Sequence, residues 1–192
     1  MKVVGFTGMP GTGKSEAVVV AKELGFEIFS MGEVVRDEAR RRGVPMTDSD
    51  VGRFAADERE KHGKAIWAQR TSELIMQHAE AEIVIIDGIR SMDEIELFRD
   101  VFGKDFILVA IYANSPERLK RIIKRSREDD VRSMEELEAR DDRELGWGVG
   151  RAIAKADIMI VNDCSLSEFR EKVKEILLRI ADAGGFSCRK RA

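Results

Sequence analysis

Gly8-Met9-Pro10-Gly11-Thr12-Gly13-Lys14-Ser15 lies between the apolar run Val3-Val4-Gly5-Phe6 and a helix-forming run from Glu16 to Leu24. The spacing is one glycine, four residues, then Gly-Lys-Ser, in the strand-then-helix setting that a phosphate-binding loop requires. Glycines let the backbone close around phosphate oxygens with its N–H groups inward, and the helix N-terminus behind it adds the positive end of a dipole. Lys14 brings a mobile cation for the β- and γ-phosphates, and the Ser15 hydroxyl is suited to Mg²⁺. Gly8, Met9, Pro10, Gly11, Thr12, Gly13, Lys14 and Ser15 are therefore the expected ATP-binding loop. A turn that merely links strand to helix is the plainer alternative, and the flanking pattern disfavours it.

Working outward, Glu27-Ile28-Phe29 reads as a second strand, followed by Ser30 and Glu33 at the spacing of a helix capping box. Arg40 to Arg42, Gly43 and Pro45 end that helix. Thr47 to Asp50 caps another, which Gly63 breaks, and Ala65 to Ala79 forms one more with Trp67, Thr71, Leu74, Ile75 and His78 along one side. Ile83-Val84-Ile85-Ile86-Asp87 has the β-branched continuity of a central strand buried on both faces. Ser91 caps a helix whose Ile95, Phe98 and Phe102 face the sheet, and Phe106 to Ala113 is the fourth strand. Ser115-Pro116-Glu117 starts a helix with proline first, running into the charge-dense segment Lys120 to Arg143. Asp157 to Val161 is a fifth strand, and Ser165 and Glu168 cap a last helix with Leu166, Phe169, Val173, Ile176, Leu177 and Ile180 as its stripe, stopped at Gly184-Gly185. This alternation predicts an α/β fold, a three-layer α/β/α domain on a five-stranded parallel sheet, with ligands at the C-terminal strand ends.

The 192 residues suit a single domain, and 43% hydrophobic content fills a sizeable core. No apolar run has the length of a membrane span, and the N-terminus enters the first strand at once, so a cytoplasmic location is expected. Cys164 and Cys188 read as free thiols. A net charge of −3 argues against a general nucleic-acid or membrane-surface binder. The 36% of charged residues fits a surface laced with ion pairs, as in proteins of hot habitats. His62 and His78 have no partner spacing that suggests a metal.

Asp87 ends a run of four apolar residues, where a carboxylate needs a cation, a metal or a hydrogen-bond partner. Beside a phosphate loop the expected partner is Mg²⁺ through water, which makes Ser15 and Asp87 the candidate metal residues. A turn or capping aspartate before Gly88 is the alternative.

Taken together, these stretches resemble the superfamily of adenylate kinase and dephospho-coenzyme A kinase, and especially a group of archaeal proteins called adenylate-kinase-related. Ser30 to Arg36 matches the adenylate kinase serine-threonine-glycine-aspartate stretch, with Met31 for threonine and Glu33 for aspartate. The resemblance gives Arg36 the acceptor's phosphate and puts Ser30 beside it. Asp87-Gly88-Ile89-Arg90 is similar to the family's aspartate-glycine pair with its phosphate-binding arginine, one position early. Arg121 and Arg125 fit the family's two arginines one helical turn apart that stack on the donor adenine and touch its phosphates. Arg127, Asp129, Asp130 and Arg140 look like its lid charges. Val51 to Arg70 is more similar to the acceptor-binding helices of dephospho-coenzyme A and deoxynucleotide kinases, a resemblance that makes Arg59 a further acceptor candidate. For Lys120, Lys124 and Glu135 a solvated helix face is the expectation.

The resemblance implies one domain with its core over 1–36, 81–120 and 150–183, a helical acceptor-binding insertion over 37–80 and a lid over 121–148. The implied activity is ATP·Mg²⁺-dependent phosphoryl transfer to a small phosphorylated acceptor, a nucleoside monophosphate first. Lys14, Asp87, Arg125, Arg127 and Arg140 are its catalytic candidates, and Ser30, Arg36, Arg59 and Arg90 hold the acceptor. Hydroxyl phosphorylation of the dephospho-coenzyme A kind, with Glu33 or Asp87 as base, is one alternative. A non-catalytic ATP-binding or slow ATPase module with a macromolecular partner, hinted at by the basic tail Arg189-Lys190-Arg191, is another. A switch GTPase is excluded, since Arg90 stands where its glycine belongs and Asn162-Asp163 lacks the lysine of a guanine-reading motif. Glu144 to Gly150 reads equally as a hinge or as a close backbone approach.

Overall fold

Strands β1 (Lys2–Thr7), β2 (Glu27–Ser30), β3 (Ile83–Asp87), β4 (Phe106–Tyr112) and β5 (Ile158–Val161) form one parallel sheet in the order β2-β3-β1-β4-β5. The computed structural model describes residues 1–125 and 131–182. Strand side chains alternate between the two faces, and the core divides accordingly. Val3, Val84, Ile86, Phe106 and Leu108 point into one layer, and Val4, Phe6, Ile85, Val109 and Ile111 into the other. Both layers are buried, which is why these strands read as continuous apolar runs.

Helices α1 (Lys14–Glu23) and α9 (Leu166–Asp182) pack together on the second layer, with Ala17, Val20, Phe169, Val173 and Leu177 turned inward. The opposite layer carries α2 (Met31–Arg41), α4 (Ile66–His78), α5 (Met92–Phe102) and α8 (Val149–Ala154), with α3 (Asp48–His62) packed on α2 and α4 away from the sheet. Trp67, Ile95 and Phe98 are fully buried there. Helices α6 (Ser115–Arg125) and α7 (Met134–Trp147) share a small cluster of Ile122, Val131 and Leu137 beside the strand ends. None of the helices among the described residues is long and apolar enough to cross a membrane.

The chain thus has the five-stranded parallel α/β/α fold that its pattern predicts. Local chemistry departs from expectation in three places, and a segment left open takes a definite form. The Ser30 hydroxyl accepts from the Glu33 amide at 3.4 Å, but the Glu33 carboxylate binds Arg36 instead of closing the capping box. Asn114 caps α6 through the Glu117 amide at 2.9 Å, so Ser115 precedes Pro116 in the helix. Leu166 and His78 are exposed, because each sits at a helix end beyond the reach of the sheet. The Glu144 to Gly150 segment is the end of α7, a left-handed Gly148 with φ 102°, and the start of α8. Arg127, Asp129, Asp130, Gly184-Gly185, Cys188 and the basic tail lie outside the described residues.

Candidate functional site

The loop from Gly8 to Gly13 leaves the C-terminal end of β1 between β3 and β4 and turns into α1 at Lys14. Gly13 has φ 110°, and a Cβ there would lie 2.6 Å from Asn162 Nδ2, so both conformation and space require glycine. Lys14 Nζ donates to the carbonyls of Gly8 at 2.5 Å and Met9 at 3.0 Å. Burial pushes this amine down to about 8, opposed by the charge of Asp87; Arg90 and Arg140 add to the depression and Glu144 opposes it. The buried Thr12 closes the loop through its hydroxyl to the Met9 carbonyl at 2.9 Å.

A cavity of about 350 Å³ opens on this loop. Pro10, Gly11, Gly13, Lys14 and Ser15 form its floor, Arg121, Ile122 and Arg125 of α6 one side, Arg140 and Glu144 of α7 another, and Arg90 a third. Arg121 Nη2 donates to the Asn162 carbonyl at 3.0 Å and to Asn162 Oδ1 at 3.2 Å, and Asn162 Nδ2 donates to the Thr12 carbonyl at 2.8 Å. The Nη1 nitrogen of Arg121 is buried without a hydrogen-bond partner. Arg90 Nε meets Glu144 Oε2 at 3.2 Å, and its guanidinium lies 5.5 Å from the centre of the Trp147 ring.

Asp87 ends β3, paired in register with Phe6 of β1 and Ser30 of β2. Burial raises its carboxyl above the ordinary range, while Lys14, Arg90 and the Gly88 amide pull the other way. A half-buried carboxylate held up by desolvation and a serine hydroxyl on the cavity floor are hard oxygen donors, and they suit a magnesium ion accompanying a polyphosphate. Among the described residues no group of three or more His, Cys, Asp and Glu forms a metal cluster.

Of the residues singled out by sequence, the loop, Arg90, Arg121, Arg125 and Arg140 therefore come together. Asp87, Ser30, Arg36 and Arg59 do not line the cavity, although Asp87 acts on Lys14 through its charge. Ser30 caps α2, Arg36 pairs with Glu33 at 2.8 Å, and Arg59 reaches Glu94 at 3.5 Å. Four residues escaped the sequence reading: Arg118, Asp141, Glu144 and Asn162. Asn162 carried a usable signal, being polar and next to the C-terminal end of a strand, where this topology gathers ligands. The other three lie in or beside the charge-dense segment Lys120 to Arg143, where buried and solvated residues look alike.

Comparison with known proteins agrees with this architecture. A family model described as an AAA domain matches residues 7–138. A UPF0200 protein of Thermoplasma volcanium is 52% identical over 171 residues, 89% of this chain and 93% of that protein. Among solved structures, a gluconokinase from Sinorhizobium meliloti superposes with a TM-score of 0.59 at 14% identity, covering 96% of both chains. A shikimate kinase from Acinetobacter baumannii, in complex with shikimate, gives 0.56 at 17% identity over 95% of this chain and 94% of its own. At such identities these two likenesses speak for the fold. The family model and the close relative go further, and the chain belongs to the UPF0200 family and carries an AAA domain.

Proposed function

We propose that the protein transfers the γ-phosphoryl group of ATP to a small phosphorylated acceptor, a nucleoside monophosphate in the first instance. The observation that carries this reading is the single cavity shared by the phosphate loop with Arg121 and Arg125 on one side and Arg90 on another. The loop amides and Lys14 hold the donor phosphates, and Arg121 and Arg125 flank the nucleotide. Arg90 projects from the loop after β3 and takes the acceptor's phosphate. Ser15 and Asp87 would hold a Mg²⁺ ion, which would neutralise charge on the transferring phosphates. Catalysis is then mostly positioning: the transition state spreads negative charge over oxygens that Lys14, Arg125 and Arg140 surround.

In this reading residues 37–80 are the acceptor-binding insertion and residues 121–148 the lid. Closure of the lid keeps water from the γ-phosphoryl group. Arg36 and Arg59 reach the acceptor only after leaving Glu33 and Glu94. A second reading, transfer to a hydroxyl, is favoured by Asp87, whose raised carboxyl at the end of β3 lies within electrostatic reach of Lys14 and is a candidate proton acceptor. The fold relatives named above as gluconokinase and shikimate kinase accord with it.

The test is ADP formation with ATP and Mg²⁺ over a panel of nucleoside monophosphates, dephospho-coenzyme A, gluconate and shikimate, with Lys14→Ala as control. Turnover above the acceptor-free rate with a monophosphate supports the first reading, and turnover only with an alcohol the second. No acceptor raising turnover leaves a nucleotide-binding module and ends both.

A further inference from the structure

Two carboxylates stand among the residues lining the cavity, Glu16 and Glu144. Glu16 faces Arg170 across the α1–α9 contact. Glu144 is different: it is only 7% exposed, and it lies among the charges that act on Lys14. A negative group in a cavity rimmed by Lys14, Arg90, Arg121, Arg125 and Arg140 opposes any anionic ligand unless it has a cation to hold. That cation is Arg90, whose Nε approaches Glu144 Oε2 to 3.2 Å.

The backbone of Arg90 is fixed independently of this contact. Its amide donates to Glu94 Oε2 at 2.8 Å, within the capping box that starts α5. Gly148, at the break between α7 and α8, lies against the Arg90 and Ser91 backbone, a Cβ there coming within 3.9 Å of the Arg90 carbonyl. The guanidinium is the free part. It stands between Glu144 and the exposed Trp147, one turn apart on α7, and Arg140 enters the cavity one turn earlier on the same helix. A phosphate offers a guanidinium two parallel hydrogen bonds and carries more charge than the Glu144 carboxylate.

We infer that Glu144 is a positioning residue that competes with the acceptor's phosphate for Arg90. Loading of a phosphate beside Lys14 draws the guanidinium off Glu144 and Trp147 and so registers on the helix that carries Arg140. This rests on the phosphate-acceptor reading above. The sign of its main consequence is opposite to that of structural damage: removing the Glu144 charge tightens phosphate binding.

The experiment measures binding of inorganic phosphate and of AMP to protein saturated with Mg²⁺ and a non-hydrolysable ATP analogue, by calorimetry and by Trp147 emission, with Trp147→Phe as the blank. Glu144→Gln is expected to tighten binding at least about threefold, and Glu144→Asp to bind as wild type. In an Arg90→Ala background Glu144→Gln is expected to change nothing. Wild-type Trp147 emission shifts on saturation, and Glu144→Gln starts closer to the saturated value. Equal or weaker binding in Glu144→Gln, or tightening that persists without Arg90, overturns the inference alone. If the analogue binds and neither phosphate nor AMP does, the acceptor reading falls and the inference with it.

Discussion

Asp141 takes both terminal nitrogens of Arg118, and the Nη1 that reaches Asp141 Oδ1 at 2.8 Å also donates to the Pro10 carbonyl at 3.2 Å. Ser115 Oγ accepts from Nη2 at 2.9 Å, so a guanidinium only 3% exposed is satisfied on three sides. The pair ties α7 to the phosphate loop through α6. Removing one partner of a buried pair leaves an uncompensated charge, which costs more than removing both. Asp141→Ala is expected to lower stability by about 3 kcal/mol in urea unfolding, and Arg118→Met with Asp141→Ala by less. The double variant weakens binding of an ATP analogue, because Pro10 loses its donor, and Asp141→Ala does so less, because Arg118 remains to donate to Pro10.

Asn162 holds the same loop from the other side, donating to the Thr12 carbonyl while its own oxygens receive Arg121. Asn162→Asp keeps the acceptor for Arg121 but turns a carboxylate towards the Thr12 carbonyl. It is expected to weaken nucleotide binding more than Asn162→Ala does, by about tenfold or more in calorimetry, since the lost donor is buried and its replacement repels. A smaller effect for aspartate than for alanine would mean that the Thr12 bond is dispensable.

The strands and the phosphate loop were legible because their signals are local: β-branched runs bounded by turns, and glycines at fixed spacing before a helix. What was hidden depends on long-range pairing. Arg118 and Arg121 lie one turn apart on α6 and look alike in sequence, yet Arg118 is buried by a carboxylate 23 positions away and Arg121 faces an asparagine 41 positions away. The unclosed capping box at Ser30 has a similar cause, since Glu33 has Arg36 within reach on the next turn and a charged partner outbids the amide. Gly148 could be read as hinge or close approach. It is a helix break lying against the Arg90 backbone, and only the packing of α7 reveals that.

Glu58 is the carboxylate on which the helices between β2 and β3 converge. Its side chain is 2% exposed, and it receives Arg70 at 2.7 Å and Arg42 at 3.0 and 3.2 Å, with His62 at 4.0 Å. Burial pushes its carboxyl up, but the Arg70 hydrogen bond and the charges of Arg42, Arg70 and His62 outweigh it and hold it below the usual range. Stability from this group is therefore complete above its unfolded value of 4.5 and is lost as pH falls through the lower folded value. Glu58→Gln is expected to cost about 3 kcal/mol at pH 7 in denaturant unfolding, the difference from wild type shrinking below pH 4.5. A difference that stays constant into acid would assign the loss to packing and not to charge.

Lys14 gives the nucleotide site a pH dependence whose direction follows from its burial. With a folded value of about 8 against an ordinary 10.5, the unfolded chain binds more protons between these limits, so the unliganded protein gains stability from this group as pH rises from 8 to 10.5. Ligand binding runs the other way, because a polyphosphate favours the ammonium and draws its value back up. At pH 8 about half of the Lys14 amines are neutral, and binding of ATP takes up about half a proton; at pH 6.5 uptake is close to zero. Affinity falls as pH rises above 8. Calorimetric titration with ATP in two buffers of different ionisation enthalpy measures the uptake directly, and Lys14→Met should abolish it. Uptake of the same size in that variant would move the titrating group elsewhere in the cavity.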